Sequence, residues 1–234
     1  FQKALESNPA NYKAYYNIGK VLFDMGKWDK SKQMYEKTLE IYPFNENAHN
    51  DIGIIHLKLG ESEQALARFQ QTIEINPHFE KAYNNMGIVH FQKGEPNKAI
   101  NRFNQSLTVN PGYIDARNNL QKAQNTISQY GPSIDWLVRA CKNNPGNPDL
   151  FYRLGLLYQA AGMVDAAIQQ YHNALRLRPD WTACLNTLGN LYAFLHRNTN
   201  AIETFQILAD ILPNNPHIFY NLACLYARQN KKEN

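Results

Sequence analysis

The sequence predicts an all-α protein built from a row of stacked antiparallel helix pairs, and three observations support this fold class. Seven prolines recur at intervals of 34 residues. Glycines recur at two fixed places within each interval, and apolar residues between them follow a helical spacing. Self-similarity at a period of about 20 to 50 residues marks a repeat architecture. Because no segment shows the strict alternation of a half-buried strand, the repeating unit is expected to contain helices alone.

The recurring prolines set the register of the repeats. They are Pro9, Pro43, Pro77, Pro111, Pro145, Pro179 and Pro213. Each is expected to end a helix, since proline lacks a backbone N–H and its ring clashes with the preceding turn. With the third residue after each proline taken as position 1, we expect a single array over residues 1–234. Its units are a partial repeat 1–11, the repeats 12–45, 46–79, 80–113, 114–147, 148–181 and 182–215, and a partial repeat 216–234.

Each unit opens with an amphipathic helix. Positions 4, 7 and 11 are apolar, as in Tyr15, Ile18 and Leu22, and this spacing places the three side chains on one helical face. A second amphipathic run precedes the next proline, so each unit is predicted to be an antiparallel helical hairpin. One hairpin cannot bury its apolar face alone. Because burial of each large apolar side chain is worth about 1.5 to 3 kcal/mol, the hairpins must stack.

The recurring glycines have two different roles. Position 15 lies between the two helices, where a left-handed glycine ends a helix; it holds Gly26, Gly60, Gly94 and Gly162. Position 8 lies mid-helix, where glycine costs about 0.5 to 1 kcal/mol relative to alanine. We therefore expect the second helix to approach closely there, with small residues at position 20 and an aromatic residue at position 24. The glycines at position 8 are Gly19, Gly53, Gly87, Gly155 and Gly189.

These positions resemble the tetratricopeptide repeat (TPR) pattern, which has an aromatic residue or Leu at 4, Leu at 7, Gly or Ala at 8, Tyr at 11, Ala at 20, an aromatic residue at 24, Ala at 27 and Pro at 32. The segments Leu154–Pro179 and Leu188–Phe205 match it particularly closely. The resemblance implies a right-handed superhelix, or alpha solenoid, whose first helices line a concave channel. It also implies a non-enzymatic scaffold for protein–protein interaction.

The repeat 114–147 is degenerate. Gln121 and Gln124 stand where Gly and Tyr are expected, and Gly131 and Pro132 interrupt the turn region. The proline spacing survives, so we expect an irregular hairpin with a shortened second helix over residues 133–143. The alternative is a flexible joint that divides the array into two segments.

Composition and motifs exclude several functions. The net charge of +4 is spread along the chain, which argues against nucleic acid, and no apolar run is long enough to cross a membrane. No phosphate loop, HExxH motif or nucleophile elbow occurs, so we expect no catalysis, no cofactor and no metal. His49, His56 and His90 lack a carboxylate or cysteine at ligand spacing, so packing is favoured over metal binding.

Three alternatives concern the context of the chain. Cys141, Cys184 and Cys224 form no CxxC pair and are interpreted as buried thiols, which slightly favours a cytoplasmic location. The start, FQKALESNP, lacks Met and the regions of a signal peptide. The chain is therefore open to interpretation as the recognition arm of a larger enzyme or membrane-anchored protein, such as a glycosyltransferase. Self-association through truncated terminal helices is a further possibility.

Asparagine recurs mid-helix at positions 5 and 6, although it is a mediocre helix former. These positions share the face opposite the packed stripe, so we expect them to point into the channel. An amide has both a donor and an acceptor and can pair with any peptide backbone. A similar row lines the TPR channel of O-linked N-acetylglucosamine transferase. We predict that an extended peptide or partner segment binds Asn17, Asn50, Asn84, Asn85, Asn118, Asn119, Asn186 and Asn221, flanked by Tyr16, Lys81, Tyr152 and Arg153.

The asparagine row has a second interpretation, in which it solvates the groove or bridges neighbouring first helices. Under the binding interpretation, replacing Asn85 and Asn119 together by Ala weakens ligand binding several-fold without changing the melting temperature. Basic residues on the same face favour a mildly acidic ligand. Capture of a chaperone's C-terminal carboxylate, as some family members do, is not expected because position 5 never holds Lys.

Overall fold

The computed structural model describes residues 10–233, so most of the expected partial repeat 1–11 lies outside the described residues. The described residues contain twelve α-helices and no strand, which confirms the all-α fold class. The helices are α1 (Tyr12–Asp24), α2 (Trp28–Ile41), α3 (Glu46–Leu59), α4 (Ser62–Ile75), α5 (Glu80–Gln92), α6 (Pro96–Val109), α7 (Ile114–Asn143), α8 (Pro148–Ala160), α9 (Val164–Leu177), α10 (Thr182–Phe194), α11 (Asn198–Ile211) and α12 (Pro216–Glu233).

Most helices are paired as expected, and asparagines cap several of the first helices. The Oδ1 atoms of Asn11 and Asn45 accept hydrogen bonds from the backbone N–H groups of Ala14 and Ala48, at 3.1 and 2.9 Å. Such caps satisfy amides that the first helical turn leaves unpaired. Helix capping therefore explains Asn11 and Asn45. The pairs are α1 with α2, α3 with α4, α5 with α6, α8 with α9, and α10 with α11.

Position 15 adopts the left-handed conformation that the sequence predicts. Gly26, Gly60, Gly94 and Gly162 have φ values of 72°, 82°, 75° and 76°. In the repeat 182–215 the same position holds His196, which has a φ of 58°. Left-handed backbone is uncommon for any residue other than glycine. The tight turn therefore imposes this conformation even where glycine is missing.

Position 8 is where the two helices of a pair come closest. A Cβ atom added to Gly53 would lie 2.6 Å from Cε1 of Phe69, the aromatic residue at position 24 of the same repeat. The small residue at position 20 also contributes, since Ser31 Oγ donates a 2.7 Å hydrogen bond to the carbonyl oxygen of Gly19. The predicted close approach is thus confirmed, and it is the aromatic ring that occupies the space left by the absent Cβ.

The chain divides into two compact units, each with its own core. The first unit comprises residues 10–91 together with Pro96–Ala123, and the second comprises Gln92–Glu95 together with residues 124–233. Both cores contain buried aromatic residues from position 24: Tyr35, Phe69 and Phe103 in the first unit, and Tyr171 and Phe205 in the second. The expected single array over residues 1–234 stays a prediction.

The fourth repeat is not a hairpin. Helix α7 runs from Ile114 to Asn143 through Gly131 and Pro132, so the expected turn and the separate second helix over 133–143 are wrong. Position 15 is Ser128 here, and no described residue of α7 has a positive φ. An interior proline removes one helical hydrogen bond, at a cost of about 3 kcal/mol, but the helix continues through Pro132. The flexible joint stays a prediction that hydrogen exchange over residues 115–140 tests.

We expect the Gly53→Ala variant to lose about 1 to 3 kcal/mol of unfolding free energy, because the added Cβ overpacks against the Phe69 ring. Urea denaturation followed by circular dichroism measures the change. In a Phe69→Leu background the same substitution should be neutral or stabilising, since alanine favours the helix by about 0.5 to 1 kcal/mol.

Gly146→Ala is the matched control, because an added Cβ at Gly146 meets nothing within 4 Å. Its unfolding free energy should not fall. An equal loss from Gly53→Ala in the wild-type and Phe69→Leu backgrounds would contradict the proposed contact.

Candidate functional site

The predicted binding residues lie at the junctions between successive first helices. A hydrogen bond joins position 5 of one first helix to position 6 of the next, between residues 35 apart in sequence. We call each such pair a rung. Within residues 10–233, three rungs lie in the first unit, namely Tyr16–Asp51, Asn50–Asn85 and Asn84–Asn119, and one lies in the second unit, Tyr152–Thr187.

The two asparagine rungs have the same geometry. Asn85 Nδ2 donates to Asn50 Oδ1 at 3.0 Å, and Asn119 Nδ2 donates to Asn84 Oδ1 at 2.9 Å. The acceptors Asn50 and Asn84 are only 4% and 3% exposed. Buried amides need hydrogen-bond partners, and the rungs supply one to the carbonyl oxygen of each of these residues, which links neighbouring helices. The bridging interpretation of the asparagine row therefore holds for them.

The donors of these rungs keep unused hydrogen-bonding groups. Asn85 and Asn119 are half-buried, and among the described residues each makes only the rung hydrogen bond. An asparagine amide has two N–H donors and a carbonyl oxygen with two lone pairs. Each of these amides therefore retains one N–H and its carbonyl oxygen. The rung fixes the orientation in which these groups are presented.

The two tyrosine rungs are supported by ring packing. Tyr16 OH donates to Asp51 Oδ2 at 2.9 Å, and its ring centroid lies 5.5 Å from that of Tyr35. Tyr152 OH lies 3.1 Å from Thr187 Oγ1, and its ring packs on Trp181 at 4.7 Å between centroids. Tilted aromatic pairs at these distances stabilise a fold by more than the burial of their apolar area alone contributes. Both tyrosines therefore act as links between repeats.

Asp51 is an ionisable group inside a rung. Burial raises the pKa of its carboxyl group above the ordinary value. Hydrogen bonds from Tyr16, Asn50 and Tyr35 and the positive charge of Lys20 oppose this shift without cancelling it. Burial and the nearby Asp51 charge also raise the pKa of the Tyr16 hydroxyl. Position 6 holds this carboxyl group in the second repeat, whereas Asn17, Asn85 and Asn119 occupy it in the first, third and fourth repeats.

The remaining predicted residues are not joined into rungs. Lys81, Asn118, Arg153 and Asn186 are exposed, whereas Asn17 and Asn221 are half-buried. Among the described residues, Asn186 and Asn221 form no hydrogen bond with each other. The predicted residues thus include some that link repeats, some that are exposed, and the half-buried Asn17 and Asn221, which form no rung.

Sequence reasoning missed the pairing rule, although a signal was present. Residues 35 apart at positions 5 and 6 are complementary in three of the four rungs as donor and acceptor: tyrosine with aspartate, and asparagine with asparagine twice. The apolar residue Phe91, also on a first helix, is 7% exposed and belongs to the core. Half-buried Ile54 and Leu57 pack against the core of the next repeat.

His49 and His56 form hydrogen bonds within the protein, and the three cysteines are free thiols. His49 Nε2 donates to the carbonyl oxygen of Pro43 at 2.9 Å, and His56 Nδ1 donates to the Glu61 carboxylate. Cys141 and Cys184 are buried and Cys224 is partly buried, all as free thiols. Burial raises the pKa of the Cys184 thiol to about 12. Within the described residues no group of histidine, cysteine and acidic side chains could hold a metal ion.

Sequence profiles described as tetratricopeptide repeat match residues 12–77, 50–114 and 148–181, which together make up more than half of the chain. No curated protein sequence matches. No helix among residues 10–233 is long and apolar enough to span a bilayer.

The chain is also similar to solved TPR structures. It resembles the APC/C hetero-tetramer Cut9–Hcn1 with a TM-score of 0.52 and 17% identity, over 96% of this chain and 44% of that chain. It is similar to the P58(IPK) TPR domain, with a TM-score of 0.49 and 19% identity over 93% and 65% of the two chains. YrrB, a TPR protein with an unusual peptide-binding site, has a TM-score of 0.43 and 16% identity over 94% and 96%. At these identities the likeness concerns the fold alone.

A double-mutant cycle tests the asparagine rungs. Asn85→Ala should lower the unfolding free energy by about 1 to 3 kcal/mol, because it leaves the buried Asn50 carbonyl oxygen unpaired. Asn50→Ala with Asn85→Ala should cost less than the sum of the single variants. Urea denaturation measures all three.

The matched control is Asn101→Ala, an exposed asparagine on α6, which should change stability little. The rungs therefore predict a lower melting temperature for Asn85→Ala with Asn119→Ala, in place of the unchanged value expected from the sequence. Strictly additive single variants would contradict a direct bond between Asn50 and Asn85.

Asp51→Asn should stabilise the protein at neutral pH, because asparagine keeps an acceptor for Tyr16 without burying a charge. The folded state takes up a proton on Asp51 at a higher pH than the unfolded state. The unfolding free energy of the wild type should therefore rise relative to that of the variant as the pH falls. The rise should occur between the raised pKa of folded Asp51 and the ordinary carboxyl pKa of 3.8.

Thermal melts of both proteins between pH 7 and pH 4 measure this convergence. Asp180→Asn, at an exposed loop position, controls for the change in net charge. A difference in melting temperature that stays constant over this range would contradict the assignment to Asp51.

Proposed function

Because this chain belongs to the tetratricopeptide repeat family, whose members generally mediate protein–protein interaction, we propose that the rung face of its first unit binds an extended segment of another protein. The rung face is the surface formed by Tyr16, Asn85 and Asn119 with the neighbouring exposed lysines. The observation that carries the proposal is that Asn85 and Asn119 are each held by one hydrogen bond and keep a free N–H and a free carbonyl oxygen.

A free N–H and a free carbonyl oxygen match the two polar groups of a peptide unit. Each amide can accept a hydrogen bond from a backbone N–H of the ligand and donate one to its carbonyl oxygen. Neighbouring helices pack about 8 to 10 Å apart, and an extended chain advances about 3.3 Å per residue. One rung therefore serves about three ligand residues. Since the rungs already fix the amides, binding sacrifices little side-chain entropy.

Backbone pairing alone is too weak to account for a useful affinity. Four hydrogen bonds at about 0.5 to 1.5 kcal/mol each give about 2 to 6 kcal/mol, whereas micromolar affinity requires about 8.2 kcal/mol. Ile54 and Ile88 at position 9 lie one helical turn beyond position 5 and are half-buried. We propose that ligand side chains contact them and supply the remaining free energy.

The charges on this face favour an acidic ligand. Lys20, Lys81 and Lys122 are exposed on the first helices of the unit, and the Lys122 ammonium lies 5.5 Å from the Phe91 ring centroid. Asp24 and Asp115 are the exposed acids of the same face. Charge complementarity increases association rate and specificity more than it increases affinity. The preferred segment is therefore extended, mildly acidic and apolar at intervals of about three residues.

A displayed library of random twelve-residue peptides, selected against the whole chain, provides the probe. The selected peptides should be enriched in Asp and Glu. Replacing Asn85 and Asn119 together by Ala should weaken the best synthetic peptide several-fold, and Lys81→Glu should weaken it further because it reverses a charge on the face. Fluorescence polarisation at a temperature where circular dichroism shows a fully folded variant separates lost binding from lost stability.

Matched controls lie on the second helices. Asn101→Ala with Asn104→Ala on α6, and Lys30→Glu on α2, replace exposed residues of the same types and should leave affinity unchanged. Equal affinity for the wild type and the Asn85→Ala, Asn119→Ala variant would exclude the rung amides from the binding site.

A further inference from the structure

An apolar groove lies between α7 and α8 in the second unit. It has a volume of about 610 Å³ and is lined chiefly by Pro132, Trp136 and Leu137 from α7 and by Arg153, Leu156 and Leu157 from α8. Trp136 is 62% exposed and Leu156 is 41% exposed, although both are large apolar residues. The only charged residue that lines the groove is Arg153. A volume in this range is typical of binding sites.

The continuous α7 explains why the groove is open. In the regular repeats a first helix lies beside the next first helix, and its position 5 pairs with position 6 there. Arg153 is position 6 of α8. Because α7 is one helix from Ile114 to Asn143, residues 114–127 do not fold back against residues 132–143 as the first helix of a hairpin would. No residue of 114–127 lines the groove. The groove is thus the position in which a first helix packs in a regular repeat, and α7 does not supply that helix.

We propose that this groove binds an amphipathic helix of a partner protein, which places apolar side chains against Trp136, Leu137 and Leu157 and a carboxylate on Arg153. An amphipathic helix in an apolar groove is a common mode of recognition, with anchors spaced three or four residues apart. The partner helix takes the position of the missing first helix. The site differs from the rung face of the first unit in its residues and in the shape of its ligand.

The charges favour an acidic partner helix. Arg153 is exposed and forms no hydrogen bond or ion pair with any described residue. Asp149, one turn earlier in α8, lies 3.4 Å from Arg178. Asp135 precedes Trp136 in α7 and is exposed. Since position 6 pairs with position 5 of the preceding first helix, a carboxylate at position 5 of the partner helix would meet Arg153.

The chain's own residues 114–127 are poorly suited to binding in this groove. Arg117, Gln121 and Gln124 occupy positions 4, 8 and 11, where the next repeat has Phe151, Gly155 and Tyr158. Folding this segment into the groove would bury polar groups without matched partners. The same argument applies to segment 114–127 of a second copy of the chain. An apolar helix from another protein therefore fits better.

A fluorescein-labelled peptide with the sequence of residues 80–92 and Asn84→Glu serves as a probe, because it has the apolar pattern of a regular first helix and an acid at position 5. Fluorescence polarisation should show saturable binding to the whole chain. Trp136→Ala should weaken it about tenfold or more, as expected for a central aromatic contact. Arg153→Glu should reverse the preference, so that the peptide with Asn84→Lys binds more tightly.

Phe194→Ala is the matched control, since Phe194 is 77% exposed on α10 and does not line the groove. It should leave binding unchanged, and circular dichroism should show that all variants remain folded. Absent binding, equal binding to the Trp136→Ala variant, or an Arg153→Glu variant without reversed preference would each overturn the proposal.

Two further results would identify a different occupant of the groove. A dimer in light scattering that Trp136→Ala abolishes would assign the groove to a second copy and overturn the proposal. A monomer that does not bind the peptide and whose amides at residues 124–131 exchange rapidly would show that segment 114–127 folds back into the groove itself. That result would also overturn the proposal.

Discussion

The contact between the position 8 glycine and the position 24 aromatic ring is the constraint on which the rest of the structure depends. A Cβ added to Gly19, Gly53 or Gly155 would lie 2.6 Å from the ring of the same repeat, so no other residue allows this separation of the paired helices. The cost of glycine in mid-helix is offset by burial of the ring. Once each pair has this fixed geometry, successive first helices lie close enough for positions 5 and 6 to form rungs.

The rungs combine a structural role with the recognition role that we propose for the same side chains. Asn50 and Asn84 are buried and join repeats, while Asn85 and Asn119 join repeats and still present polar groups to solvent. An asparagine row on a helix face therefore does not distinguish between bridging and binding. The answer depends on which member of each pair is buried, and burial is a property of the stacked helices and not of the residue type.

The degenerate fourth repeat shows how one missing residue changes the architecture. Without a left-handed residue at position 15, Ser128 continues the helix and α7 reaches 30 residues. Pro132 removes one helical hydrogen bond, but no described residue of α7 has the left-handed backbone that ends the first helix in the regular repeats. The consequence is an open apolar groove beside α8 in the second unit. A departure from the repeat pattern thus creates a surface that a regular repeat would bury.

The sequence alone determined the repeat length, the helical class, the turns at position 15 and the close approach at position 8, because each follows from local backbone preferences and apolar spacing. His196 was not foreseen as a turn residue, since its left-handed φ is imposed by the chain on either side. The candidate residues at positions 5 and 6 were also found from the sequence. Only the tertiary structure decided which of them pair, that Asn50 and Asn84 are buried, and that α7 is continuous. The physical reason is that hydrogen bonds between residues 35 apart, and the burial that accompanies them, depend on how neighbouring hairpins pack.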